Sequence, residues 1–278
     1  MTTSTALDIE PVTPAVGAVI GGIDLRTPLD DDTVRAIRSV VLEHGVVFFR
    51  EQDLTREQML AFMERFGTPC TDPFAVDQTV SGLDTIIDMV TLAYSPATAV
   101  WHIDSSLAPE PASLIALRAL EVPPSGGGDT CWASMYAAYD ALSQPLRNLL
   151  DGLTAEHTGS KTLALMGGDS YGFLQEDMRN VHPAVRVHPE TGRKALFVDE
   201  LWTERIVELA PDESASLLAF LFEHVKKPHF TMRWQWQPND LALWDNRSFQ
   251  HYAVNDYTEH RVMQKSLLAG DRPYGPGG

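Results

Sequence analysis

The sequence predicts a mainly β fold of the α+β class, an antiparallel sandwich or barrel with flanking helices. Three observations carry this reading. Four strand-like stretches, His229 to Trp236, Asp240 to Trp244, Gln250 to Val254 and Arg261 to Ala269, close the chain at short spacing. Few helical segments interrupt the second half. From Gly17 to Gly67, strand and helix signals alternate in a β-α-β-α opening that reads as scaffold. At 278 residues a β-rich chain is of ordinary size for one domain, so residues 1–278 are expected to form a single unit.

Residues 1–15 read as a ragged lead-in, and Gly17-Ala-Val-Ile-Gly-Gly-Ile-Asp24 as a strand broken by glycines. Asp30-Asp-Asp-Thr33 puts acidic side chains where a helix N-terminus favours them, ahead of a helix through Val34 to Glu43 that ends at His44-Gly45. Val46-Val-Phe-Phe49 is a buried strand. Thr55-Arg-Glu-Gln58 is a capping-box pattern opening a helix that runs to Gly67. Strands are expected at Thr85 to Val90, Ala112 to Leu120 and Thr130 to Ala133, the last after the turn Pro123 to Asp129. Ser134 caps a helix containing Tyr136, Tyr139 and Leu142, and a second amphipathic helix is expected from Pro145 to Leu153. Residues 158–181, with Gly159, Gly167, Gly168 and Gly172, read as an active-site lid. Strands Ala184 to Val187 and Lys194 to Val198 flank the turn Pro189 to Gly192, and a helix runs from Pro211 to Lys227.

Lys and Arg number 21 against 38 Asp and Glu, a net charge of −17. That balance lacks the basic footprint that nucleic acid or an anionic membrane surface needs, and it leaves small anionic ligands open. Two cysteines, Cys70 and Cys131, make neither a disulfide framework nor clustered zinc spacing. The N-terminus lacks the basic and apolar regions of a signal peptide, and no apolar run approaches a membrane span. A soluble, reduced, cytoplasmic protein is the expectation.

Chemistry concentrates in Ala99-Val-Trp-His-Ile-Asp-Ser105. In a strand, period-two alternation sends His102 and Asp104 to one face. One imidazole and one carboxylate are two thirds of the 2-His-1-carboxylate set that holds non-haem iron(II) with open positions. The bland alternative is a hydrogen-bonded pair at a strand end. Nine histidines are available for a third ligand. His182 and His188 read as turn chemistry beside strands, and His224, His229 and His260 as surface residues beside charges. His44 and His157 stay open. His251 opens a late strand after the turn Trp244-Asp-Asn-Arg247, from which it is able to reach an earlier strand of a sheet.

Ordered blocks then resemble one family nearly end to end, over residues 15–273. They are Gly17-Ala-Val-Ile-Gly-Gly-Ile-Asp-Leu25, His44-Gly-Val-Val-Phe-Phe-Arg50, Trp101-His-Ile-Asp104, Gly127-Gly-Asp-Thr130, Trp234-Gln-Trp-Gln-Pro-Asn-Asp240, Trp244-Asp-Asn-Arg-Ser-Phe-Gln-His-Tyr-Ala253, Asp256-Tyr257 and His260-Arg261. The chain resembles the TauD/TfdA group of Fe(II)- and 2-oxoglutarate-dependent dioxygenases. The resemblance implies a jelly-roll (double-stranded β-helix) core, with His102, Asp104 and His251 as iron ligands. It implies that Arg261 pairs with the distal carboxylate of 2-oxoglutarate, a role suited to a planar bidentate cation, and that the Thr130 hydroxyl holds the same cosubstrate. It further implies Fe(II), 2-oxoglutarate and O2 as cofactor and cosubstrates, succinate and CO2 as coproducts, a small organic molecule as substrate, and a homodimer or tetramer. Halogenases of this kind carry Gly or Ala at the position of Asp104, so hydroxylation is expected rather than halogenation.

The substrate pocket departs from the family. Taurine dioxygenase grips a sulfonate with a histidine and an arginine, aided by tyrosine, asparagine and phenylalanine. The matching positions here are Asp72, Lys265, Ala75, Thr98 and Gly159. A carboxylate at position 72 would repel a sulfonate by about 1–4 kcal/mol at about 4 Å, and the smaller residues predict a larger pocket. Taurine is therefore not the expected substrate; an amine toward Asp72 and an anion toward Lys265 fit better. Desaturation or cyclisation, sulfonate or alkyl sulfate cleavage, and a catalytically inactive jelly-roll binding protein are the alternatives.

Overall fold

A computed structural model describes residues 7–72, 85–91, 99–165, 174–175 and 177–277. Its main sheet runs in the order Asp8–Pro11, Ala18–Gly21, Val46–Phe49, Leu241–Asp245, Leu114–Glu121, Arg261–Leu268, Pro69–Cys70, with Ile86–Thr91 also paired to Arg261–Leu268. Ala18–Gly21 and Val46–Phe49 pair in parallel, while the other pairings in this sheet are antiparallel. A second sheet has Thr130–Ser134 between Thr231–Trp234 and Phe249–Ala253. The two sheets close on one apolar core and make the jelly roll.

Alternation along the central strands sets the layers. Phe48, Ala242, Trp244, Ile115 and Leu117 point into the space between the sheets, where they meet Trp132, Met232, Trp234 and Phe249 from the second sheet. Val47, Phe49, Leu241, Leu243, Leu114 and Ala116 point the other way, onto Val34, Ile37, Val40 and Val41 of the helix Asp31–His44 and Met59, Phe62 and Met63 of the helix Arg56–Glu64. Phe48 stacks on Trp234 with ring centroids 3.8 Å apart.

Local signals placed these two helices. Asp30 caps the first by accepting the Thr33 N–H at 2.7 Å, and Thr55 and Gln58 form a reciprocal capping box on the second. Gly45 ends the first helix at φ +79°, donating its N–H to the Val41 carbonyl. Pro211–Val225 begins with its proline in the first turn, as expected.

Other expectations are corrected. The lead-in contains a strand, Asp8–Pro11, because Ala18–Gly21 offers it an edge. The helix capped by Ser134 is short, Met135–Asp140, and leaves Leu142 outside; the next spans Gln144–Leu150. A sheet of Thr203–Ile206, Thr154–Thr158 and Arg179–Pro183 forms where polar side chains hide the period, and the lid segment opens with a helix, Gly159–Leu165. The rest of that segment falls partly outside the described residues.

Two histidines differ from expectation, and a third has a further role. His224 is buried and donates Nε2–H to the Ala138 carbonyl at 2.8 Å. His182 lies inside a strand, buried, donating to the Ala108 carbonyl at 3.0 Å. His188 does organise its turn, since Nδ1 accepts the N–H groups of Glu190 and Thr191, but it is fully buried and also donates to Asp245.

Candidate active site

His102 and His251 exchange both backbone hydrogen bonds, N–H to carbonyl at 3.0 and 2.9 Å, in an isolated antiparallel bridge. Residues paired in this way project their side chains to the same side. The imidazole centroids lie 4.1 Å apart. His251 is held on its other side by the Thr130–Ser134 strand, opposite Trp132. Residues 99–105 do not form a strand, since only His102 pairs, and the chain turns at Asp104. Convergence survives because a side chain replaces the missing strand partner. The Asn246 amide accepts the Asp104 N–H at 3.0 Å and donates to the carbonyls of Asp104 and Ala112, both at 2.9 Å.

Asp104 thus comes to 3.5 Å from His102 Nε2 and 3.7 Å from His251 Nε2, and one ligand atom from each residue lies within 4.8 Å of the others. His102 Nδ1–H donates to the Val100 carbonyl at 2.8 Å, which leaves the Nε2 lone pair facing Asp104. Burial, with His102 nearby, pushes the His251 pKa well below the usual range and keeps that imidazole neutral. Burial alone would raise the Asp104 carboxyl; Lys265, with His251 and His102, holds it well below the usual carboxylate range. Two imidazoles and one carboxylate, converging in a buried space, are the donor set that suits iron(II).

Along Arg261–Leu268, Arg261, Met263 and Lys265 share one face, and buried Gln264, Ser266 and Leu268 share the other, toward the helices. Arg261 is buried, and burial lowers its pKa against Tyr257 and Asp129, which raise it. Its side chain packs on Gly128, where a Cβ would lie 2.9 Å from Arg261 Cδ; the glycine also has φ +81°. Two residues on, buried Thr130 accepts Trp236 Nε1–H at 3.0 Å. Asp256 anchors this loop by accepting the Gly128 N–H at 2.8 Å, and Arg233 ties Asp129 to Asp256.

The five substrate positions fare differently. Lys265 Nζ lies 2.8 Å from Asp104 Oδ2 and 3.2 Å from Asp72 Oδ2, so the structure joins Lys265 and Asp72 to each other and to the triad. Gly159 is buried, and a Cβ there would meet the Gln175 carbonyl oxygen at 2.3 Å. Neighbouring backbone therefore fills the room expected from a glycine at that position. Thr98 and Ala75 lie outside the described residues.

Sequence reasoning missed the support behind Asp104. Besides Asn246, Ser106 donates to Asp199 Oδ2 at 2.8 Å and faces His157 Nδ1 at 3.1 Å, all fully buried. Asp199 Oδ1 accepts the N–H groups of Leu201 and Trp202. Asp245, next to Asn246, is paired with Arg247 and His188, which hold its carboxyl far down against burial. The run Asp-Asn-Arg between two apolar strands was the available signal: consecutive polar side chains in such a place need buried partners.

Comparisons with known proteins agree with this geometry. The family model described as "Taurine catabolism dioxygenase TauD, TfdA family" matches residues 8–267. An alkylsulfatase of Acinetobacter baylyi is 36% identical, covering 95% of this chain and 86% of the relative. A (S)-phenoxypropionate/alpha-ketoglutarate-dioxygenase of Sphingobium herbicidovorans is 36% identical over 96% of each. The crystal structure of a taurine dioxygenase from Burkholderia xenovorans superposes with a TM-score of 0.86 at 37% identity, covering 98% of this chain and 92% of the other. The chain therefore belongs to the TauD/TfdA family and is an iron(II)- and 2-oxoglutarate-dependent dioxygenase.

Proposed function

We propose that His102, Asp104 and His251 hold the iron, that Arg261 and Thr130 hold 2-oxoglutarate, and that the enzyme hydroxylates an unactivated C–H bond of a small organic molecule. The observation that carries this is the His102–His251 bridge, with the Asp104 carboxylate beside both Nε2 atoms. Iron(II) with 2-oxoglutarate and O2 supplies the oxidising power, giving succinate and CO2 as coproducts. The chain's own residues position and protect. Val100 fixes the tautomer of His102, Asn246 fixes the backbone of Asp104, and Lys265 takes one carboxylate oxygen. Arg261 offers a fork to the distal carboxylate.

Anaerobic addition of iron(II) and 2-oxoglutarate should produce the weak visible charge-transfer band of the chelate, and Asp104→Ala should lose it. A variant that kept the band would remove Asp104 from the ligand set. The substrate is not clearly taurine, and sulfite release from taurine at saturating iron and 2-oxoglutarate tests that directly. A second reading keeps the same iron chemistry and ends in desaturation, cyclisation, or sulfonate or alkyl sulfate cleavage. It is favoured by the alkylsulfatase relative, and product masses separate the outcomes.

We further infer that residues 1–278 act as one catalytic domain. Both cysteines are free, and no described helix is long and apolar enough to cross a membrane, which supports a cytoplasmic location. A homodimer or tetramer is the expected assembly, to be read by light scattering.

A further inference from the structure

Lys265 stands on the inner face of its strand with its charge already engaged. Its ammonium lies 2.8 Å from Asp104 and 3.2 Å from Asp72, and all three side chains are nearly closed to solvent. Of the three protons an ammonium offers, two face these carboxylates. We propose that Asp72 cancels Lys265, so that the end of the substrate seated beside this pair is uncharged: a hydroxyl, ether, ketone, ester or lactone rather than a sulfonate, sulfate or carboxylate. The inference rests on the iron and cosubstrate assignment above and names the substrate class of that same site.

Charge accounting gives the reason. With iron(II) on the triad and dianionic 2-oxoglutarate beside Arg261, the charges of Asp104, Asp72, Arg261 and Lys265 bring the loaded site to neutrality. Without Asp72, one positive charge would remain, and it would suit an anionic head group. With Asp72 in place, the same head group adds a net negative charge to a buried site, which is costly without a counter-ion. A neutral oxygen avoids this, because it can accept the third ammonium proton without displacing either carboxylate. Burial lowers the Lys265 pKa, and the Asp104 and Asp72 carboxylates beside it outweigh that and hold it above the usual range. Two carboxylates facing one ammonium distinguish this arrangement from a lone cation waiting for an anion.

The test compares hexyl sulfate with hexyl acetate, which share a chain and differ in head-group charge, on the wild type and on Asp72→Asn. Binding is read anaerobically as a change in the visible band of the iron(II)–2-oxoglutarate complex. In the metal-free protein it is read as a change in tryptophan fluorescence. Hexyl sulfate should bind Asp72→Asn about tenfold more tightly than it binds the wild type, the effect of one nearby unit charge. Hexyl acetate should change far less, and the wild type should favour it over the sulfate. A wild type that prefers hexyl sulfate, or equal sulfate affinity in the two proteins, overturns the proposal. Thermal unfolding reports whether Asp72→Asn folds, and Asp72→Ser supplies the same comparison if it does not. If the wild type forms no chelate band, the iron assignment fails instead, while the fluorescence arm still reports on the ion pair.

Discussion

Asn246 spends its one acceptor and both donors on the backbone around Asp104. Asn246→Ala would leave buried amide and carbonyl groups unpaired, at about 1–3 kcal/mol each. Iron affinity should also fall by about 10–100-fold, the usual effect of losing a group that orients a ligand. Titration of metal into the variant checks this; unchanged affinity would make Asn246 a purely structural residue. Arg261→Ala removes a contact remote from the chemistry, so the KM for 2-oxoglutarate should rise by about tenfold or more with a smaller effect on kcat. Steady-state kinetics in 2-oxoglutarate decide it. Lys should rescue poorly, because it presents a point charge where a fork is needed. At this scale the sequence was legible where a residue type has one strong use. His102, Asp104 and His251 converge, whereas His182 and His224 were misread because their partners, the carbonyls of Ala108 and Ala138, lie far along the chain.

Elements were legible when their signals were local. Asp30, Thr55 and Pro211 each announce a helix start with side chains within a turn of it. The sheet containing Thr154–Thr158 was not legible, because its partners Arg179–Pro183 and Thr203–Ile206 are distant and its strands carry Glu156, His157 and Asn180. Gly45 shows how tightly one element is fitted to another. A Cβ there would fall 1.9 Å from the ring of Phe249, at a backbone φ of +79°. Gly45→Ala should therefore cost about 3 kcal/mol or more, combining left-handed strain with overpacking. Because Phe249 opens the strand that carries His251, metal affinity should fall along with the melting temperature. Unaltered iron binding in a destabilised variant would separate the two.

For the whole molecule, acid stability follows from buried imidazoles. Burial lowers the His182 pKa from 6.5 to about 4. The unfolded chain then binds that proton more readily than the folded one, so the contribution to stability is complete above about pH 6.5 and is lost as pH falls toward about 4. The loss from this residue amounts to about 3 kcal/mol. Thermal melts over that range should show a flatter pH dependence for His182→Gln than for the wild type, and parallel curves would contradict the assignment. An antiparallel sandwich or barrel was readable from strand density near the C-terminus, and the jelly roll from the family resemblance. The order of its strands was not, since Val46–Phe49 meets Leu241–Asp245 across most of the chain.

The bridge between His102 and His251 ties together positions that the chain separates by well over a hundred residues. Because the two imidazoles project from one paired register, a slip of a single residue would turn His251 away from His102. An iron ion held by the proposed triad would therefore have no half-built version of its site to enter. Its occupancy would then report that the middle and last thirds of the chain have met in register.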